Sequence, residues 1–213
     1  MKNSSREATS RAAGLTGTGL LTIQFIALVY AAVAVAGGVV AVAESLGGES
    51  LEMTLPASAS LPTAVLGDPE ATGQPRVLSG QFTHASASIA DLGLAPRVLH
   101  AAGSGILSLT AVTVALALAY LCWTLYKRRP FLAATTRAIE VAAAALLVGG
   151  FAGPALLGFS AWTAIDQLGL DQDLLPLSLQ IDLMPVVAGV ALAIVAMAFQ
   201  LGERMQRDTE GLV

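Results

Sequence analysis

Charge is what this sequence has least of. Only 12% of its 213 residues are Asp, Glu, Lys or Arg, where an ordinary soluble domain carries about 25%. With 55% hydrophobic residues, the chain has too little polar surface to cover a globule, which leaves lipid as its expected solvent. Cysteine is nearly absent as well. A lone Cys122 inside an apolar run excludes an intramolecular disulfide and a cysteine metal site. The two histidines, His84 and His100, have no ligand partner near them in sequence, and each reads as a hydrogen-bonded or interfacial side chain. Catalytic signatures are missing too: there is no Gly-rich phosphate loop, nucleophile elbow, HExxH or pair of intramembrane carboxylates. Enzymatic activity is not expected, nor is any cofactor or metal. The basic residues are few and scattered and no helix-turn-helix is present, so direct nucleic-acid binding is not expected either.

What is there is long and apolar. Four stretches hold no Asp, Glu, Lys or Arg: Ala12 to Ala43, Val98 to Tyr126, Val141 to Ile165, and Leu183 to Gly202. A helix needs about 20 mostly apolar residues to cross a bilayer core, and helices satisfy their own backbone there. The expected spans are Leu20–Val42, Ala101–Leu125, Val141–Ser160 and Met184–Leu201. The fold class expected is an all-α integral membrane protein with four transmembrane helices and a small extracytoplasmic β-rich insert between helices 1 and 2.

Charge placement orients these spans. Lys2, Arg6 and Arg11 precede the first span; Lys127, Arg128, Arg129 and Arg137 separate the second from the third; Arg204 and Arg207 follow the fourth. Nine of the eleven Lys and Arg thus share one side, while the other holds Arg76, Arg97 and most of the acids. Cytoplasmic loops collect Lys and Arg, so both termini are expected in the cytoplasm, with the chain multi-pass in the membrane. The segments read as a cytoplasmic tail 1–19, helix 20–43, β-rich cap 44–100, helix 101–126, cytoplasmic basic loop 127–140, helix 141–160, acidic outer loop 161–183, helix 184–201 and cytoplasmic tail 202–213. Tyr120, Trp123 and Tyr126 mark the inner end of the second helix, and Phe159 and Trp162 the outer end of the third. Ala41-Val42-Ala43 before Glu44 is like a signal-peptidase site. The apolar body ahead of it, however, exceeds the usual secretory length of about 7–15 residues, so the first helix reads as a retained anchor.

Leu51-Glu52-Met53-Thr54-Leu55 alternates apolar with polar, as does part of Arg76 to Ala90. Period-two patterning of this kind predicts short strands, three or four in the cap. Asp171-Gln172-Asp173 offers two close carboxylates but no EF-hand pattern, and reads as acidic solvated loop. Gly149, Gly150, Gly153 and Pro154 suit close helix packing, with a kink at the proline. Glu140 lies one turn from Arg137, the spacing of a helical ion pair. Intramembrane ionisable groups, which proton and ion pathways need, are almost absent.

Two segments resemble a known family. Arg128-Arg129-Pro130-Phe131 followed by Arg137 resembles the Arg/Gly-x-Pro-Phe…Arg signature of a bacterial membrane family, domain of unknown function 2975. The fourth helix ends Phe199-Gln200-Leu201-Gly202-Glu203-Arg204-Met205-Gln206-Arg207-Asp208, then Thr209, Glu210 and Gly211-Leu212-Val213. That run is similar to the family's Phe-x-x-Gly-x-x-Leu-x-x-Asp hallmark, with Gln200 where a basic residue is frequent and Met205 where Leu is usual. The resemblance covers the four-helix layout and implies a small sensory membrane protein paired with a short helix-turn-helix regulator. Arg128, Arg129, Pro130, Phe131, Arg137, Gly202, Arg204, Asp208, Thr209 and Glu210 are the interaction residues it points to. Pro130 suits a helix start, and Phe131 with the arginines suits an anionic surface; the acidic tail suits a groove instead. Expected partners are the lipid bilayer, that regulator and a second copy of the chain. A small-molecule or lipid transporter, or an immunity-type protective membrane protein, is the alternative reading, weakened by the lack of an inverted repeat.

Overall fold

The structure is a computed structural model that describes residues 2–60, 81–127, 133–169 and 182–210. The order of elements is α1 (Lys2–Gly47), β1 (Ser50–Ser60), β2 (Gln81–Ala90), α2 (Leu94–Tyr126), α3 (Ala133–Leu168) and α4 (Met184–Glu210). Four helical stretches are long and apolar enough to cross a membrane: Thr18–Gly47, Leu94–Tyr126, Ala133–Leu168 and Met184–Gly202. The helices outrun the apolar spans. Segments read as tail 1–19, cap 44–100, basic loop 127–140, outer loop 161–183 and tail 202–213 are helical in part, since helix runs from Lys2, to Gly47, from Leu94, from Ala133, through Leu168 and through Glu210. Apolarity marks where a helix can be solvated by lipid, whereas its hydrogen-bond ladder continues until a cap stops it. At about 1.5 Å per residue the 36 residues of α3 reach roughly 54 Å, well beyond an apolar core of about 30 Å.

The stops are local and legible. α3 ends at Gly169, whose φ of +60° suits a residue without Cβ at a helix C-terminus, and its N–H donates to the Asp166 carbonyl at 3.2 Å. The Asp182 carboxylate accepts from the Met184 N–H at 2.9 Å and so caps α4, with Pro185 in the first turn where its missing N–H costs nothing. Asp91, between β2 and α2, takes φ 56°, a left-handed conformation that Asp tolerates.

Two compact units divide the chain. The hairpin unit comprises Ala41–Gly103 and Pro154–Gln180. In it β1 and β2 form an antiparallel pair, with Leu51 opposite Ile89, Met53 opposite Ala87 and Leu55 opposite Ala85. Leu51, Met53 and Leu55 are buried while Glu52 and Thr54 are exposed, so the alternation read in the sequence is the alternation of faces. The described residues contain two strands, where three or four were expected; residues 61–80 lie outside them. The ladder slips between Pro56 and Ala59, where a proline cannot donate. The buried face, with Ile89 and Leu92, packs against Ala161, Ala164 and Ile165 of α3.

The helical unit comprises Met1–Val40, Ser104–Gly153 and Ile181–Val213. Its contacts are made by small residues. A Cβ at Gly38 would lie 2.6 Å from Ser108 Cβ, one at Gly150 would lie 2.9 Å from Pro185 Cβ, and one at Gly189 would lie 2.9 Å from Leu147 Cγ. Gly149 faces Thr110, whose own Cβ would be 3.0 Å away. α1 thus touches α2, α2 touches α3 and α3 touches α4, each at a glycine. The expected packing role of Gly149 and Gly150 is met, and Pro154 stays within continuous helix.

Candidate functional site

Of the residues that the sequence singles out, Arg128, Arg129, Pro130 and Phe131 lie outside the described residues. Arg137 stands exposed on the second turn of α3, Gly202 is half-buried on α4, and Arg204 is exposed. Asp208, Thr209 and Glu210 belong to the helical backbone of α4; their side chains are outside the description.

The two motif-bearing segments meet at a hydrogen bond. Gln200 Nε2 on α4 donates to Glu140 Oε1 on α3. Glu140 follows Arg137 by one turn, and Gln200 lies within the Phe199–Gly202 turn, so this bond joins the neighbourhoods of both motifs. It also corrects the reading of Glu140: its described partner is Gln200 and not Arg137. The helical spacing permitted the ion pair, but spacing along one helix is silent about a donor arriving from another. Among the described residues, Arg137 has no ion pair.

Beside Arg137 an apolar crevice opens between α2 and α3, with a volume near 430 Å³. α2 contributes Thr113, Leu116, Ala117 and Tyr120; α3 contributes Ala134, Arg137, Ala138 and Val141. The Thr113 hydroxyl donates to the Leu109 carbonyl at 2.7 Å, so it is satisfied within its own helix. The Tyr120 and Trp123 rings lie 6.0 Å apart, and the Lys127 ammonium sits 5.6 Å above the Trp123 ring, within cation–π range. At the start of α3, Thr135 and Thr136 are 0% and 4% exposed, and neither hydroxyl has a hydrogen-bond partner among the described residues.

The hairpin unit has a different cavity, polar and about 790 Å³, lined among others by Glu44, Glu49, Glu52, Ser88 and His100. His100 has no acidic neighbour in sequence; the passage from the end of α1 into β1 places Glu44, Glu49 and Glu52 on the wall of the cavity that His100 also lines. Sequence reasoning missed this convergence because its members are some fifty residues apart. Among the described residues no group of three His, Cys, Asp or Glu side chains is placed to hold a metal ion, and Asp171 and Asp173 lie outside them.

Arg97 is the other residue that the sequence undersold. Its Nε donates to the Leu92 carbonyl at 3.2 Å, and its Nη1 and Nη2 donate to the carbonyls of Gly48 and Glu49. One guanidinium therefore ties the end of α1, the start of the hairpin and the turn into α2. Gln167 Oε1 accepts from the Gly93 N–H at 3.0 Å, and Ser160 Oγ donates to the Pro96 carbonyl at 2.7 Å. These bonds fasten α3 to the same turn.

Compared with family models, curated proteins and solved structures, the chain matches none.

Proposed function

We propose that this chain is a four-span protein of the bacterial cytoplasmic membrane, with both termini inside, and a non-enzymatic sensor or regulator of the domain 2975 type. In this reading the hairpin unit receives a signal outside the cell. The start of α3 and the end of α4 present it to a small cytoplasmic helix-turn-helix regulator. The observation that carries the reading is the dual attachment of α3. Near its C-terminal end Ala161, Ala164 and Ile165 form one core with the hairpin; near its N-terminal end stand Arg137 and the Glu140 that binds Gln200. A change in the hairpin therefore bears on the helix that carries the motif residues. The family resemblance and the charge asymmetry support the same reading.

The test is capture from membranes. Full-length chain is expected to recover a small helix-turn-helix protein, and truncation at Arg204 to lose it; identical captures from both would contradict the proposal. Transport of a small molecule or lipid is the second reading, favoured by the crevice between α2 and α3. Gene neighbourhood separates the two: an adjacent regulator gene supports the first, an adjacent ATPase subunit the second.

A further inference from the structure

The crevice between α2 and α3 combines two features that belong to one kind of ligand. Its lining is mostly apolar, with Leu116, Ala117, Ala138 and Val141, and Arg137 lines it beside them. Tyr120 and Ala134 line the crevice with Arg137, and its lining on α2 runs from Thr113 to Tyr120, about 10 Å along the helix at 1.5 Å per residue. The volume near 430 Å³ falls in the range of about 300–1,000 Å³ typical of small-molecule sites. Glu140, the carboxylate one turn away, is held by Gln200, and Arg137 has no ion pair among the described residues. A planar guanidinium matches a phosphate bidentately, and the apolar lining beside it matches a hydrocarbon chain.

We propose that this crevice is a binding site for an anionic phospholipid, the headgroup phosphate on Arg137 and the upper part of one acyl chain against Leu116, Ala117 and Val141. The site stands on its own geometry and does not depend on the regulator reading.

Trp123 supplies the readout, because its ring lies 6.0 Å from the Tyr120 ring that lines the crevice. The full chain carrying Trp162→Phe, which leaves Trp123 as the single tryptophan, is reconstituted in phosphatidylcholine. A minor fraction of dibrominated phosphatidylglycerol or dibrominated phosphatidylcholine is then added. The phosphatidylglycerol is expected to quench Trp123 with a preference of about five-fold, the contribution of one basic residue at an anionic headgroup. Arg137→Gln should bring the preference close to one, and so should Ala138→Phe, which fills the crevice and keeps the charge. Both positions are accessible from the crevice, and unquenched emission reports whether each variant is folded. Equal quenching by the two lipids would overturn the proposal. So would a preference that survives Ala138→Phe, which would mean surface charge alone. A preference abolished by Lys127→Gln but untouched by Arg137→Gln would move the site to Lys127 and overturn it as well. Displacement of the lipid by excess inorganic phosphate would show that the chain adds nothing, with the same consequence.

Discussion

The two units of this protein solve opposite packing problems. The hairpin unit hides large side chains, Leu51, Met53, Leu55, Ile89 and Ile165, and fastens its turns with polar bonds from the half-buried Arg97 and the buried Ser160. Its helical parts keep exposed apolar side chains too, Leu94 and Phe159 among them, so the difference lies in the interior. The helical unit turns its large apolar residues outward: Phe25 is 68% exposed, and Val33, Leu109, Val148 and Met197 are exposed as well. Glycines and small side chains do the joining inside. In water this arrangement would be unstable, because burial of apolar surface is the main favourable term. In lipid the tails are as apolar as Leu, so close backbone approach and dispersion decide which helices meet. The comparison teaches that the hairpin unit has an interior of large side chains, whereas the helical unit has the arrangement expected of helices solvated by lipid.

The largest break in the comparison comes from the hairpin core. Leu51→Ala should destabilise the hairpin unit by about 2–5 kcal/mol, as for a buried Leu elsewhere. Hydrogen exchange of the β1 and β2 amides would read the loss, and the amides of α4 should keep their protection. A smaller effect, with a change of sign, separates two glycines of the helical unit. Gly149→Ala places a methyl against Thr110 and should cost about 1–3 kcal/mol by overpacking. Gly37→Ala meets nothing within 4 Å and should gain up to about 1 kcal/mol of helix propensity. Thermal unfolding in a mild detergent measures both. The smallest contrast concerns buried hydroxyls. Ser160→Ala removes the donor to Pro96 and should cost about 1 kcal/mol. Thr135→Val removes a hydroxyl that has no partner among the described residues and should be neutral or slightly stabilising. A Thr135→Val variant that melts lower than Ser160→Ala would mean that the threonine is engaged after all.

The four helices and the first turns of the hairpin were legible in the sequence, because charge-free length and period-two alternation are local signals. Leu51, Met53 and Leu55 announced their face by spacing alone. Helix ends were less legible: the flanks of α3 are polar enough to read as loop, yet Gly169 and not polarity stops it. The sites were legible only as single residues. Arg137 and Glu140 suggested a pair within one helix, and the donor that decides Glu140, Gln200, comes from sixty residues further on. The same holds for Arg97, whose three carbonyl partners are set by the turns of the hairpin unit, and for the grouping of His100 with Glu44, Glu49 and Glu52. Local patterns encode elements, whereas sites depend on which elements meet.

The central claim is that lipid solvates the helical unit as four spans with the basic segments on one side. Single cysteines in a Cys122→Ala background test it most directly, using a thiol reagent that cannot cross the membrane of intact cells. Cysteine at Ser60 or Gln172 is expected to react, and cysteine at Ser4 or Thr209 to react only after permeabilisation. Labelling at Thr209 from outside an intact cell would contradict the account, by an odd number of crossings if Ser4 stays unlabelled and by the opposite orientation if Ser4 is labelled too.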